Sequence, residues 1–341
     1  MTAGERVLVV LLDAFGSRFL ERHGGHPLVS RLEVTPLRSQ FPSTTAAHVT
    51  TMHFGLPVAE HGIYEWLVLE ASLRRIICPL RFCEAGGRHE GSLRGQLDPD
   101  TLVAAPTFYE RLGARSLVAQ PRAIANSTYS TLATRGASVM AFEALPGGLH
   151  GVARELAEDP ELRYAFLYWD AIDRAGHVHG PESEQFDAEV LAALDALEGV
   201  AGELDGVSVL VTADHGQLAV SPDRVDYLDE LWPGLVELLE YEQPAGSSRD
   251  AFLHVRDGAL ETVIAGLAER LGDRAQVLAA RECFDGVGPA LAARLADVVV
   301  LPAPGRQAWL RRATAQEAWF RGHHGGLDPA ETGTYLAELA R

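Results

Sequence analysis

Aliphatic residues along this chain gather into runs too continuous for a sheet with one wet face. Val7-Leu8-Val9-Val10-Leu11-Leu12 carries no polar side chain and stops at Asp13. Such a run predicts a strand buried on both faces, as in parallel sheets. Tyr164-Ala165-Phe166-Leu167-Tyr168-Trp169 runs in the same way into Asp170 and Asp173, and Val207–Val211 runs into Thr212-Ala213-Asp214-His215-Gly216. Between these two, Glu184–Leu204 has helical spacing, with Phe186, Val190, Leu194 and Leu197 on one face. Further helices are predicted over 15–23, 107–112 and 149–156, and short strands over 67–69, 75–79, 116–120 and 139–142. Residues 27–38 turn and re-extend, and the Gly- and charge-rich 84–100 reads as an exposed loop.

Later the texture changes. Residues 252–255, 260–271, 275–278 and 298–301 read as β-α-β-β, so 245–305 is predicted as a subsidiary α+β lobe; the chain rejoins the main body at 319–327. Residues 1–341 are otherwise predicted as a single α/β domain, a mostly parallel sheet flanked by helices. In such sheets ligand sites lie outside the carboxyl ends of the strands. One aspartate after a strand is usually a turn residue or a helix cap. Three strands ending in Asp13, Asp170/Asp173 and Asp214 would bring their carboxylates to one rim if they are neighbours.

Histidines accompany two of these ends. Asp173 and His177 are four apart, which on a helix places both on one face and onto one ion. Asp214-His215 adds a carboxylate and an imidazole, and His323-His324 sits between glycines that permit close backbone approach. Asp and His together suit zinc, with manganese or iron as alternatives. A hydroxyl for such ions to activate stands in Phe41-Pro42-Ser43-Thr44-Thr45-Ala46-Ala47-His48. Ser43 or Thr44 can cap a helix starting there, and Thr45 then lies near a helix N-terminus, where an anion is favoured. Unaided, a threonine is a poor nucleophile; a bound metal lowers the hydroxyl pKa.

Composition narrows the function. With 47% hydrophobic and 22% charged residues, the chain has the makings of an ordinary soluble core. A net charge of -18 argues against stable nucleic-acid binding or attachment to anionic lipid. Three cysteines supply neither a disulfide framework nor a CxxC clip. Reduced thiols, an N-terminal apolar run too short for a signal peptide, and no run near the roughly 18 residues of a span predict a cytoplasmic protein with no membrane segment. Oligomeric state is not readable.

Taken in order, Leu11-Leu12-Asp13, Phe41-Pro42-Ser43-Thr44-Thr45, His61-Gly62-Ile63, Asp173-x-x-Gly176-His177-x-x-Gly180-Pro181, Ala213-Asp214-His215-Gly216 and Gly322-His323-His324-Gly325 resemble the type I phosphodiesterase/nucleotide pyrophosphatase family of the alkaline phosphatase superfamily. The resemblance implies an alkaline-phosphatase-like three-layer α/β sandwich and two zinc ions. Asp173, His177 and His324 would hold one. Asp13, Asp214, His215 and the Thr45 hydroxyl would hold the other. Thr45, with Thr44 as the alternative, would attack phosphorus and form a phospho-threonine that water then hydrolyses. The implied substrate is a small phosphoester such as a nucleotide. Alternatives are a phosphomonoesterase or phosphonate hydrolase on the same metals, or a non-catalytic binder of metal or phospho-ligand.

One position departs. Family members carry an asparagine shortly after HGI, where Tyr64-Glu65-Trp66 places Trp66; Trp66 is then a substrate-stacking candidate or a core residue. Asp170 reads as metal-site support or a cap, and His179 as a loop residue. The sulfatase pattern Cys-x-Pro-x-Arg is not matched by Cys78-Pro79-Leu80-Arg81.

Overall fold

The computed structural model describes residues 6–313 and 319–340. Its centre is a seven-stranded sheet. In chain order the strands are β1 (Val7–Leu12), β2 (Leu32–Arg38), β3 (Arg115–Pro121), β4 (Ser138–Phe142), β5 (Leu162–Trp169), β6 (Ser208–Thr212) and β7 (Gly333–Leu339). The spatial order is β2-β7-β6-β1-β5-β3-β4. From β6 to β4 every pairing is parallel; β7 alone is reversed, antiparallel to β2 and to β6. The three strands that end in aspartates are therefore neighbours, with β1 between β5 and β6.

Strand β1 is buried at every position, and its alternation divides the core. Val7, Val9 and Leu11 face one apolar layer, built with helix α1 (Thr45–Phe54), while Leu8, Val10 and Leu12 face the other. That second layer is supplied by helices α2 (Leu145–Glu158) and α4 (Glu184–Val200), with α3 (Ala171–His179) at the carboxyl end of β5. Helix α4 buries Phe186, Val190, Leu194 and Leu197, the face the spacing predicts, and Ser183 caps it by accepting from the Phe186 amide at 3.2 Å. Among the described residues no helix is long and apolar enough to cross a membrane.

A second, four-stranded antiparallel sheet is formed by Ala245–Ser247, Asp250–Leu253, Val298–Pro302 and Ala275–Ala279, in that order. The Leu260–Leu271 helix covers it with Val263, Leu267 and Leu271. Its apolar face is continuous with the α1 layer of the main sheet.

Local readings differ from the structure in three places. Thr44 occupies the position before α1, but its side chain makes no capping bond; Ser43 is drawn away too, into a loop contact described below. The 84–100 stretch is irregular yet anchored, because Leu93 and Leu97 are buried beneath it. Strand β7 gave no clear signal, since its alternation of buried Tyr335 and Ala337 with exposed Leu336 and Glu338 mixes residue types on both faces.

One buried ion pair joins the small sheet to the end of the chain. Arg249 forms a bidentate pair with Glu331, Nε to Oε1 at 2.9 Å and Nη2 to Oε2 at 2.8 Å. Its Nη1 donates to the carbonyls of Pro302, Ala303 and Arg306, and Glu331 Oε1 also accepts from the Gly326 amide at 3.1 Å. Removing one partner of such a pair strands a buried charge, at a cost of ~3–5 kcal/mol. Glu331→Gln is expected to destabilise the protein by about that amount in denaturant melts, whereas an exposed pair such as Arg75–Glu84 should contribute less than ~1 kcal/mol.

Candidate metal centre and active site

Parallel packing of β5, β1 and β6 brings three carboxylates to one rim. Asp13 follows β1, Asp214 lies two residues beyond β6, and Asp173 stands in the first turn of α3 after β5. Asp13 and Asp214 are buried, at 1% and 3% exposure. Helix α1 begins at Thr45, and the Thr45 Oγ1 lies 3.3 Å from both Asp13 oxygens and 3.2 Å from His215 Nε2. Of the two adjoining threonines it is Thr45 whose hydroxyl joins the cluster.

The imidazoles arrive with their outer nitrogens engaged. His177 Nδ1 is 2.8 Å from the Gly322 carbonyl, His215 Nδ1 is 3.0 Å from that of Gly216, and His324 Nδ1 is 2.9 Å from that of Ser43. A carbonyl only accepts, so each ring donates from Nδ1 and turns its Nε2 inward. What it meets is carboxylate. His177 Nε2 is 3.2 Å and His324 Nε2 3.6 Å from Asp173, while His215 Nε2 is 3.5 Å from Asp13 and 3.4 Å from Asp214. Nitrogen and carboxylate oxygens converge at these separations, an arrangement that a shared cation satisfies.

The Asp214 carboxylate makes the same point. Its Oδ1 accepts from the amides of Ala14 and His215 at 3.1 and 3.0 Å, but Oδ2 has no hydrogen-bond partner among the described residues. Two sets of donor atoms, Asp173–His215–His324 and Asp13–Asp214–His215, each lie within 4.8 Å of one another. The residues therefore fit metal ions in chemistry and in spacing. His177 reaches the first set through Asp173, and Thr45 reaches the second through Asp13 and His215.

Electrostatics agree. Burial, then the nearby charges of Asp214 and Asp173, push the Asp13 carboxyl well above the ordinary carboxylate range. Burial, then His215, holds His324 well below the usual histidine range, so its ring stays neutral. The rings of His215 and His324 stack with centroids 3.7 Å apart, an arrangement that two protonated imidazoles would not tolerate.

Several supporting residues were not anticipated. Tyr168 donates its phenol hydroxyl to Asp13 Oδ2; a hydroxyl near the end of an apolar, largely aromatic strand was the available signal. Gln217, fully buried next to the Asp214-His215-Gly216 turn, donates from Nε2 to Asp173 Oδ1 at 2.6 Å and to its carbonyl at 3.0 Å. Gly176 makes room for that amide, because a Cβ there would stand 1.9 Å from Gln217 Oε1. Ser43 donates to the Gly326 carbonyl at 2.9 Å and accepts from the Gly325 amide at 3.1 Å, tying the Thr45 loop to the His324 loop. His323 turns its Nδ1 onto the backbone of His324, so His324 is the one that enters the site.

Remaining candidates fall outside the cluster. Asp170 precedes α3 without capping it and lies 3.6 Å from Arg174. His179 is exposed at the end of α3, and Cys78 is buried opposite Cys83 in a hairpin. Trp66 is half-buried; it packs on the α1 core layer and also lines a cleft of about 520 Å³ beside Thr45. Val49, Leu80 and Tyr129 form other walls, and Arg81 and Arg174 flank it.

The sheet order and the rim of Asp and His residues beside a helix-start threonine define an α/β protein of alkaline-phosphatase type. Solved structures match over nearly the whole chain. An inactive variant of murine ectonucleotide pyrophosphatase/phosphodiesterase 5, in complex with AMP, has a TM-score of 0.72 at 18% identity, covering 98% of this chain and 88% of that one. Phosphonoacetate hydrolase from Sinorhizobium meliloti 1021, in complex with phosphonoformate, gives 0.71 at 17% identity, covering 99% and 90%. At the sequence level, bis(5'-adenosyl)-triphosphatase ENPP4 of Homo sapiens is 35% identical over 78 residues, 21% of this chain and only 17% of that protein's length. The family model for type I phosphodiesterase / nucleotide pyrophosphatase matches residues 105–327. The chain belongs to that family.

A raised Asp13 pKa has a direct consequence for the metal-free protein. Its contribution to stability is fully present below the ordinary carboxylate range and is lost as pH rises through the raised value. Asp13→Asn mimics the protonated form, so in chelator-treated protein it is expected to raise the melting temperature, by a margin that grows with pH. The same variant should hold less metal by elemental analysis. A lower melting temperature across the whole range would refute this electrostatic account.

Proposed function

We propose that the protein hydrolyses phosphodiester or pyrophosphate bonds of nucleotide-type substrates through a phospho-threonine formed on Thr45. Two divalent cations, zinc by donor chemistry with manganese as the alternative, are held by Asp173, His177 and His324 and by Asp13, Asp214, His215 and Thr45. The observation that carries the reading is the Thr45 hydroxyl, 3.2–3.3 Å from Asp13 and His215 at the first residue of α1. When bound, such ions lower the pKa of a coordinated hydroxyl and neutralise charge on the phosphoryl oxygens.

The chain's own residues supply the rest. Tyr168 and Gln217 orient Asp13 and Asp173 by donating to them. The carbonyls of Gly322, Gly216 and Ser43 keep each imidazole in the tautomer that presents Nε2. The first turn of α1 offers unpaired backbone N–H groups to an incoming phosphoryl oxygen. Val49, Trp66, Leu80 and Tyr129 exclude water from the ester's organic part. The murine relative's complex with AMP supports a nucleotide-type substrate.

A second reading is hydrolysis of a phosphonate or monoester bearing a small anionic group. It is favoured by the guanidinium groups of Arg81 and Arg174 beside the cleft and by the likeness to phosphonoacetate hydrolase. Relative rates on bis-4-nitrophenyl phosphate, 4-nitrophenyl phosphate and phosphonoacetate separate the two readings; a strong preference for either of the last two overturns the first.

Thr45→Ala is expected to keep most of its bound metal and to lose at least about 1,000-fold in kcat. Asp214→Asn should lose metal and activity together. Full activity in Thr45→Ala with loss in Thr44→Ala would move the nucleophile by one residue.

A further inference from the structure

The cleft beside Asp13 and Thr45 is also lined by Gln120, a buried side chain on a neighbouring strand of the sheet. Gln120 is the penultimate residue of β3, at the carboxyl rim, one strand beyond β5. Leu117 and Ala119 point into the α2–α4 layer and Val118 into the α1 layer. Strand alternation therefore sends Gln120 to the α1 side, where it lines the same cleft as Asp13, Thr45 and Trp66. The residue is 3% exposed, and its Nε2 has no hydrogen-bond partner among the described residues. A desolvated amide donor is rarely left unpaired in a folded protein.

Its place along the rim follows from register. Ala119 pairs with Leu167, and Leu11 with Tyr168, so Gln120, Tyr168 and Leu11 lie level across three adjacent strands. Two strand spacings put the Gln120 and Leu11 backbones about 10 Å apart, and Asp13 stands two residues beyond Leu11 on the same rim. The lining of the cleft is mostly apolar, with Trp66, Tyr129 and Ile124 beside the hydroxyls of Ser127 and Ser130, which suits a flat, weakly polar group.

We infer that Gln120 is a specificity-determining residue: its side-chain amide donates to an acceptor oxygen on the substrate group lying across the cleft from phosphorus. The cleft thereby selects esters whose organic part is an unsaturated ring carrying a carbonyl-type oxygen. This rests on the phosphodiesterase reading above and adds to it a requirement of the ester's non-reacting end. Nothing in that requirement depends on which metal is bound.

The test compares two diesters with a common leaving group, benzyl 4-nitrophenyl phosphate and 4-acetylbenzyl 4-nitrophenyl phosphate, whose benzylic alkoxides leave far less readily than 4-nitrophenolate. Release of 4-nitrophenol is followed with the metal-loaded full chain. The wild type is expected to favour the acetyl ester by about tenfold or more in kcat/KM, the worth of one hydrogen bond in a dry site. Gln120→Met, similar in length without the donor, should bring the ratio to near unity through loss on the acetyl ester. Gln120→Asn, which withdraws the amide by one methylene, should do the same and decides the matter if the methionine variant folds poorly. A wild type without preference, or a ratio that survives in the variants, overturns the inference. A packing role would lower both esters alike and leave the ratio intact. Failure of the wild type to hydrolyse either ester would instead count against the phosphodiesterase reading itself.

Discussion

Three aspartates gathered at one dry rim are the constraint around which this molecule is arranged. Carboxylates removed from water repel one another and lose hydration, and burial already drives Asp13 toward its neutral form. The imidazoles of His177, His324 and His215 turn Nε2 toward them, and together they hold the Asp173 carboxyl below the ordinary carboxylate range. Such a cluster is coherent only around positive charge. The parallel order of β6, β1 and β5 creates it, and the donors from Tyr168, Gln217 and the Ala14 amide hold its members in place. Close backbone crossings serve the same end. Gly216 packs so tightly that a Cβ would lie 2.3 Å from the Ala330 carbonyl.

The small sheet contributes by bracing the loop that brings His324 inward. Arg249 reaches from its first hairpin to Glu331, and Glu331 holds the Gly326 amide two residues past His324. From the opposite side Ser43 binds the same loop and leads directly into Thr45. The hydroxyl and the last imidazole are thus spaced by one hydrogen-bonded seam between segments nearly the whole chain apart.

The centre of the fold was legible because its signals are local. An apolar run stopping at an aspartate announces a buried strand and the residue at its end, and β1, β5 and β6 all do so. Asp173 and His177 declare themselves by helical spacing. What stayed hidden depends on partners remote in the chain. Ser43 looked like a cap until Gly325 and Gly326 were placed against it. Gln217 and Gly176 make sense only once packed together, and β7 carries too mixed a pattern to be read without β2 and β6 beside it. Gln120 follows a short apolar run like any residue at a strand end; its significance lies in a buried Nε2 with no hydrogen-bond partner among the described residues.

The three carbonyls behind the imidazoles carry one more implication. Every amino acid possesses a carbonyl, so the group that sets ring tautomer and basicity here is indifferent to side-chain identity. Gly322, Gly216 and Ser43 perform that duty through the main chain. A site supported this way is buffered against drift in its surroundings. Neighbouring side chains can diverge to suit new substrates while the path of the backbone preserves how each nitrogen is presented. The cleft and its supporting rim can then evolve at different rates.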